Sequence, residues 1–122
     1  MRRFVLHKHS GYGPTHWDLM LEIEQTLATW RIADDPLAIS PGEQIRAVRI
    51  HDHRKAYLDY VGDVSGGRGR VEPQDAGRLS VGSRGGDLWT FELSGAVLQG
   101  RFEMLRIAGD EDAWVLREIM DQ

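Results

Sequence analysis

The sequence reads as a mainly β protein: short, mostly antiparallel strands in a closed or nearly closed barrel or a sandwich, with little helix. Three observations carry this. Apolar and polar residues alternate with a period of two over many short stretches, as on half-buried strands. Fourteen glycines, with Pro, Asp and Ser, punctuate those stretches at close spacing. No window holds a long amphipathic helix. The 122 residues suffice for one domain, spanning 1–122, and are too few for two.

Taken in order, Arg3 to Lys8 is the first expected strand. His16 to Glu24 is the clearest: Trp17, Leu19, Leu21 and Ile23 fall on one face, and His16, Asp18, Met20, Glu22 and Glu24 on the other. Leu27 to Ile32 pairs with it as a hairpin through a turn at Glu24-Gln25. Residues 42–47 allow one helical turn. Further strands are expected at 47–53, 56–61, 69–72, 77–81, 88–93, 100–107 and 114–118. Trp30, Trp89, Trp114, Phe91 and Phe102 belong in the core, because large aromatic side chains usually bury.

Composition narrows the function. The absence of cysteine excludes disulfides, a zinc ribbon and a thiol nucleophile, and suits a reducing cytoplasm, the expected location. No apolar run matches a signal peptide or the ~20 residues of a membrane span, so no membrane partner is expected. A net charge of -4 argues against non-specific coating of nucleic acid, which depends on phosphate neutralisation. A nucleic-acid role must rest on a local patch or one bound phosphate.

All five histidines fall in two clusters, HKHSGYGPTHWD from residue 7 and HDH at 51–53. On strands, His7 and His9 share a face, as do His16 and Asp18, and His51 and His53. The Gly- and Pro-rich loop between the first two pairs could bring His9, His16 and Asp18 to one point. Two imidazoles and a carboxylate are a common donor set for a divalent transition metal. A lone strand histidine is more often a hydrogen-bonded surface or core residue; the confinement to two clusters is what argues otherwise. H-x-D with a later histidine also matches the short facial-triad pattern of non-haem iron oxygenases, here His16, Asp18 and His53.

KHSGYGPTHWDLMLE, TWRI, HDHRKAYLDYVGDVSGGRGRV, LQGRFEMLRI and WVLRE, in that order, resemble the 3′-phosphoesterase domain of bacterial DNA ligase D, and more closely small stand-alone proteins related to it. The resemblance implies a compact β-barrel. It implies a manganese-dependent activity, with Zn²⁺, Co²⁺ or another divalent ion as alternatives. That activity removes a 3′-phosphate or 3′-ribonucleotide from DNA ends in repair by non-homologous end joining. On this pattern His9, His16 and Asp18 hold the metal, and His53 and Tyr57 contact the scissile phosphate. His7 and Arg68, the latter in the SGGRGR loop, are added as phosphate or nucleic-acid contacts, with His7 read alternatively as an extra ligand or, the favoured reading, a hydrogen-bonded histidine behind the ligand set, whereas Arg78 and Arg84 read as solvated. The implied partners are DNA or RNA–DNA 3′ ends and a separate ligase or polymerase.

The sequence also departs from that pattern. Met20 stands where the family has an arginine, Asp34-Asp35 where a basic residue is expected, and Ile45 where another arginine is expected, with Arg46 adjacent. The loop between His9 and His16 is one residue longer. These departures favour a rival expectation, a non-catalytic module of the same fold that binds DNA ends or a partner protein.

Overall fold

The computed structural model describes residues 1–119. Nine strands follow one another: β1 (Arg2–Ser10), β2 (His16–Ile23), β3 (Thr26–Ile32), β4 (Gln44–Arg54), β5 (Gly62–Asp63), β6 (Arg70–Arg84), β7 (Leu88–Ser94), β8 (Gln99–Arg106) and β9 (Ala113–Glu118). Eight of them form a closed antiparallel barrel in the order β1-β2-β3-β4-β9-β8-β7-β6, and β1 pairs back onto β6. Closure removes the free edges that an open sheet would expose. Strand β5 is a short addition on the start of β6. Helix is confined to two 3₁₀ segments, Pro36–Ala38 and Lys55–Leu58, and no described helix is long and apolar enough to cross a membrane.

Alternation places the core as expected. Phe4 and Leu6 of β1, Leu19 and Leu21 of β2, and Ala28, Trp30 and Ile32 of β3 point into the barrel with Phe91, Phe102, Met104 and Trp114. The five aromatic residues assigned to the core are all buried. Trp30 meets Trp89 and Trp114 edge-on at 4.9 and 5.7 Å, and the Arg49 guanidinium lies 4.6 Å from the Trp30 ring. The β2–β3 hairpin turns at Glu24-Gln25, where Glu24 takes φ 54°, the one left-handed non-glycine residue among those described.

Three expectations are corrected. Residues 42–47 are not helical; β4 already begins at Gln44, because Ile45 and Ala47 alternate inward into the core. Residues 56–61 do not form a strand. Lys55–Leu58 coils as a 3₁₀ turn that lays Leu58 and Tyr57 over Val5, Met20 and Leu27, a small apolar cluster outside the barrel. Tertiary burial outweighs the β-preference of this apolar run. The two strands expected at 69–72 and 77–81 are one 15-residue strand, β6. It carries Pro73 through a bulge: adjacent residues Leu6 and His7 face Asp75 and Pro73, so Gln74 is extra.

Asp75 holds this seam. Its carboxylate is nearly buried and accepts from the backbone N–H groups of Ala76, Ala96, Val97 and Leu98 at 2.7–3.1 Å. Burial alone would raise its pKa, but the four N–H donors together hold it below the ordinary value. Gly95 permits the approach, since a Cβ there would stand 2.5 Å from Asp75 Oδ2 and 2.7 Å from the Phe4 ring. Replacing Asp75 with Ala strands several buried donors, and should cost on the order of 3 kcal/mol in urea unfolding. A loss under about 0.5 kcal/mol, the usual surface range, would show that the seam does not depend on it.

Candidate metal centre and phosphate cleft

The site lies on the outer face of the barrel wall formed by β1 to β4. Inward residues alternate with outward ones, so Val5, His7 and His9 of β1 face out, as do His16, Asp18 and Met20 of β2 and Leu27, Thr29 and Arg31 of β3. Strand register then sets neighbours directly: His9 opposes His16, His7 opposes Asp18, and Asp18 in turn opposes Arg31. The Gly11–Thr15 loop folds back with Gly11 and Gly13 at positive φ and keeps the β1–β2 ladder paired to its end. These residues floor a cleft of 990 Å³, the size of a small-molecule or nucleotide pocket.

A second bulge brings the other histidine cluster to the same face. Two steps along β3, Thr29 to Leu27, match three along β4, Ile50 to His53. Without the extra residue, His51 and His53 would continue the inward phase of Ile45, Ala47 and Arg49. With it, both line the cleft, their rings stacked 4.8 Å apart and 7° from parallel. Tyr57, on the 3₁₀ turn, meets the His53 ring edge-on at 5.5 Å.

Donor atoms of His9, His16 and Asp18 lie within 4.8 Å of one another. His16 Nδ1 donates to the Pro14 carbonyl at 3.3 Å, which leaves Nε2 as the lone-pair nitrogen. That Nε2 is buried, has no hydrogen-bond partner and stands 3.6 Å from Asp18 Oδ2. His9 Nε2 donates to the Arg68 carbonyl at 2.6 Å, leaving Nδ1 free of that bond. Imidazoles fixed by a backbone carbonyl on one nitrogen and open on the other are arranged as metal-ligating histidines are. An orphaned buried nitrogen facing a buried carboxylate calls for a cation or a proton between them, so the donor set fits a divalent metal. His53 Nδ1 likewise donates to its neighbour, the His51 carbonyl, at 3.1 Å.

Each expected residue can now be placed. His9, His16 and Asp18 converge, and His53 and Tyr57 line the same cleft. Arg68 lies at the cleft in a tight loop, where Gly69, at φ 82°, packs so close to Ser10 that a Cβ would stand 2.2 Å from its carbonyl. Its side chain donates to the Ser65 carbonyl, and its backbone, not its charge, touches His9. His7 is fully buried on the cleft floor, and neither ring nitrogen finds a hydrogen-bond partner. It therefore has no exposed atom for the phosphate contact expected of it. Arg31 escaped the sequence reading. Its Nε donates to Asp18 Oδ1 at 3.2 Å, and the alternation of Leu27, Thr29 and Arg31 against buried Trp30 and Ile32 was the available signal.

A family profile for the DNA Ligase D 3′-phosphoesterase domain matches residues 6–106. The chain belongs to this 3′-phosphoesterase domain family. The matched segment holds every residue of the cleft described above. No curated protein matches the chain. Two of the departures from the ligase D pattern have structural counterparts. Met20 is buried beneath Tyr57 and Leu58, a place where an unpaired cation would be costly. Ile45 faces the core, and the adjacent Arg46 faces the cleft.

Burial pushes the pKa values of His7, His16 and His53 down, against a smaller upward pull from the Asp18 charge on each. In the unfolded chain these rings titrate near ~6.5. Below that pH the unfolded chain takes up protons that the folded chain refuses, so stability falls with acid. In EDTA, the melting temperature should drop from pH 7 to pH 5, and His7→Gln should drop less steeply. Equal slopes for parent and variant would show that His7 is not held neutral by burial.

Proposed function

We propose that this domain is a metal-dependent phosphoesterase that clears a 3′-phosphate or a 3′-ribonucleotide from DNA ends, leaving a 3′-hydroxyl for repair. The family carries the phosphoesterase and DNA-repair reading; the observation that supports metal dependence is the convergence of His9, His16 and Asp18 around an orphaned nitrogen. Mn²⁺ is the ion we favour, because imidazole and carboxylate together suit it, although Zn²⁺ and Co²⁺ take the same donors. When bound, such an ion would polarise the phosphate and acidify a water.

The chain's own residues supply the rest. His9, His16 and Asp18 would hold the ion, and the Pro14 and Arg68 carbonyls orient the imidazoles. Hydrolysis adds a water oxygen to phosphorus and breaks the bond to the sugar oxygen, which leaves with a proton. Burial favours neutral His53 and its second nitrogen is open as a proton acceptor; a phosphate dianion beside it would raise its proton affinity again. Tyr57 can donate its phenolic proton to a phosphate oxygen. The partners that follow are DNA or RNA–DNA 3′ ends, with a separate ligase or polymerase to seal them, and the cytoplasm is the compartment where they meet.

The binding-module alternative draws on one observation, the loss of basic residues at Met20 and Asp34. The converging donors among the described residues include His9 and not His53, which supports the phosphoesterase ligand set over the iron-oxygenase one.

A labelled primer–template with a 3′-phosphate or a 3′-monoribonucleotide end tests the proposal. Mn²⁺-dependent trimming is expected from the parent. His9→Ala should lose both Mn²⁺ binding and trimming, and His53→Ala should bind Mn²⁺ but trim about 10²-fold more slowly. Tight DNA-end binding by the parent without trimming would transfer support to the binding module.

A further inference from the structure

We propose that Arg31 and Arg46 form the phosphate clamp of this cleft, in place of the basic residues absent at positions 20, 34 and 45. The inference rests on the phosphoesterase reading and says which wall of the cleft receives the scissile phosphate.

The first observation is the attachment of Arg31. Its Nε–H is used on Asp18 Oδ1, which fixes the guanidinium plane beside the donor cluster. No other hydrogen bond or ion pair engages it among the described residues, and its side chain is 44% exposed. Both Nη groups are therefore available at the rim of the cleft. An oriented guanidinium with two free NH₂ groups matches two oxygens of a phosphate, and orientation lowers the entropy lost on binding. An ion held by Asp18 would share that carboxylate with Arg31, so a phosphate reaching the ion arrives next to the guanidinium.

The second observation is the placement of Arg46. Arg31 opposes Val48 across the β3–β4 ladder, and Arg46 lies two residues further along β4 on the same outward face. Arg46 lines the cleft and has no ion-pair partner among the described residues. The two cations thus occupy one wall. Of the other cations, Lys55 pairs with Glu22, Arg70 with Asp63 and Glu72, and Arg68 bonds the Ser65 carbonyl, while Arg54 lines the cleft at the opposite end of β4 from Arg46.

The third observation explains the relocation. At position 20 the side chain is sealed beneath the 3₁₀ turn, and at position 45 it points into the barrel core. Neither place can present a solvated cation to the cleft. One strand across from Asp18, and one residue along from Ile45, the outward face provides positions that can.

Steady-state removal of a 3′-phosphate from a DNA primer–template at saturating Mn²⁺ tests this. Arg31→Ala and Arg46→Ala should each raise KM about tenfold, with a smaller change in kcat. Arg84→Ala, remote from the cleft, controls for lost charge and should leave KM unchanged. Mn²⁺ titration should show Arg46→Ala binding the ion as the parent does, which separates phosphate binding from metal loss. A parent that trims and variants that keep its KM would overturn the clamp while the phosphoesterase reading stands. If the parent does not trim, the phosphoesterase reading fails. The clamp is then judged by calorimetric binding of inorganic phosphate to the Mn²⁺-loaded protein: binding lost in both variants supports it, and equal or absent binding overturns it.

Discussion

Closure of the sheet between β1 and β6 is the constraint on which the remaining structure hangs. These two strands lie far apart in sequence, yet nine residues of β1 pair with β6. The pairing completes the barrel, and the barrel buries the aromatic core that stabilises it. It also brings the loop before β6 against the end of β1, where the Arg68 carbonyl accepts a hydrogen bond from His9 Nε2. Asp75, at the bulge in this seam, ties in the β7–β8 turn through three of its four N–H bonds. Fold and donor geometry therefore share one set of contacts.

The candidate site uses the face of the wall that the barrel core does not. Strand pleating alone would leave that face solvated. Here the 3₁₀ turn after β4 covers its lower part with Leu58 and Tyr57. This small outer cluster seals Met20, and burial lowers the proton affinity of His7, His16 and His53. Strands carry the three candidate donors His9, His16 and Asp18, and loops or turns carry Arg68 and Tyr57. A binding geometry set by strand register is harder to distort than one set by loops.

Charge is distributed with similar economy. The whole chain is acidic, so long-range attraction to a DNA backbone is weak. Four arginines line the cleft, Arg31, Arg46, Arg54 and Arg68; of these Arg31 is paired with Asp18 and Arg68 bonds a backbone carbonyl. Such a site suits recognition of one terminal phosphate better than the tracking of a duplex, whose affinity grows with the number of phosphates neutralised.

Much of this was legible in the residue order. Period-two alternation determined that the protein is mainly β and assigned the inward face of β2. It also placed His7 with His9, and His16 with Asp18, on one face of their strands; that the two pairs meet was decided by the register of β1 on β2. The resemblance to the phosphoesterase family, carried by the same segments, indicated the barrel. What the sequence left open depended on contacts between distant segments. Only tertiary structure decided that 56–61 coils instead of extending, because the apolar patch it covers comes from three other strands. Only strand pairing revealed the bulge that turns His51 and His53 outward, since one unpaired residue inverts the phase of all that follow it. Burial of His7, and the meeting of Arg31 with Asp18, were likewise decided by register across strands, which no local pattern encodes.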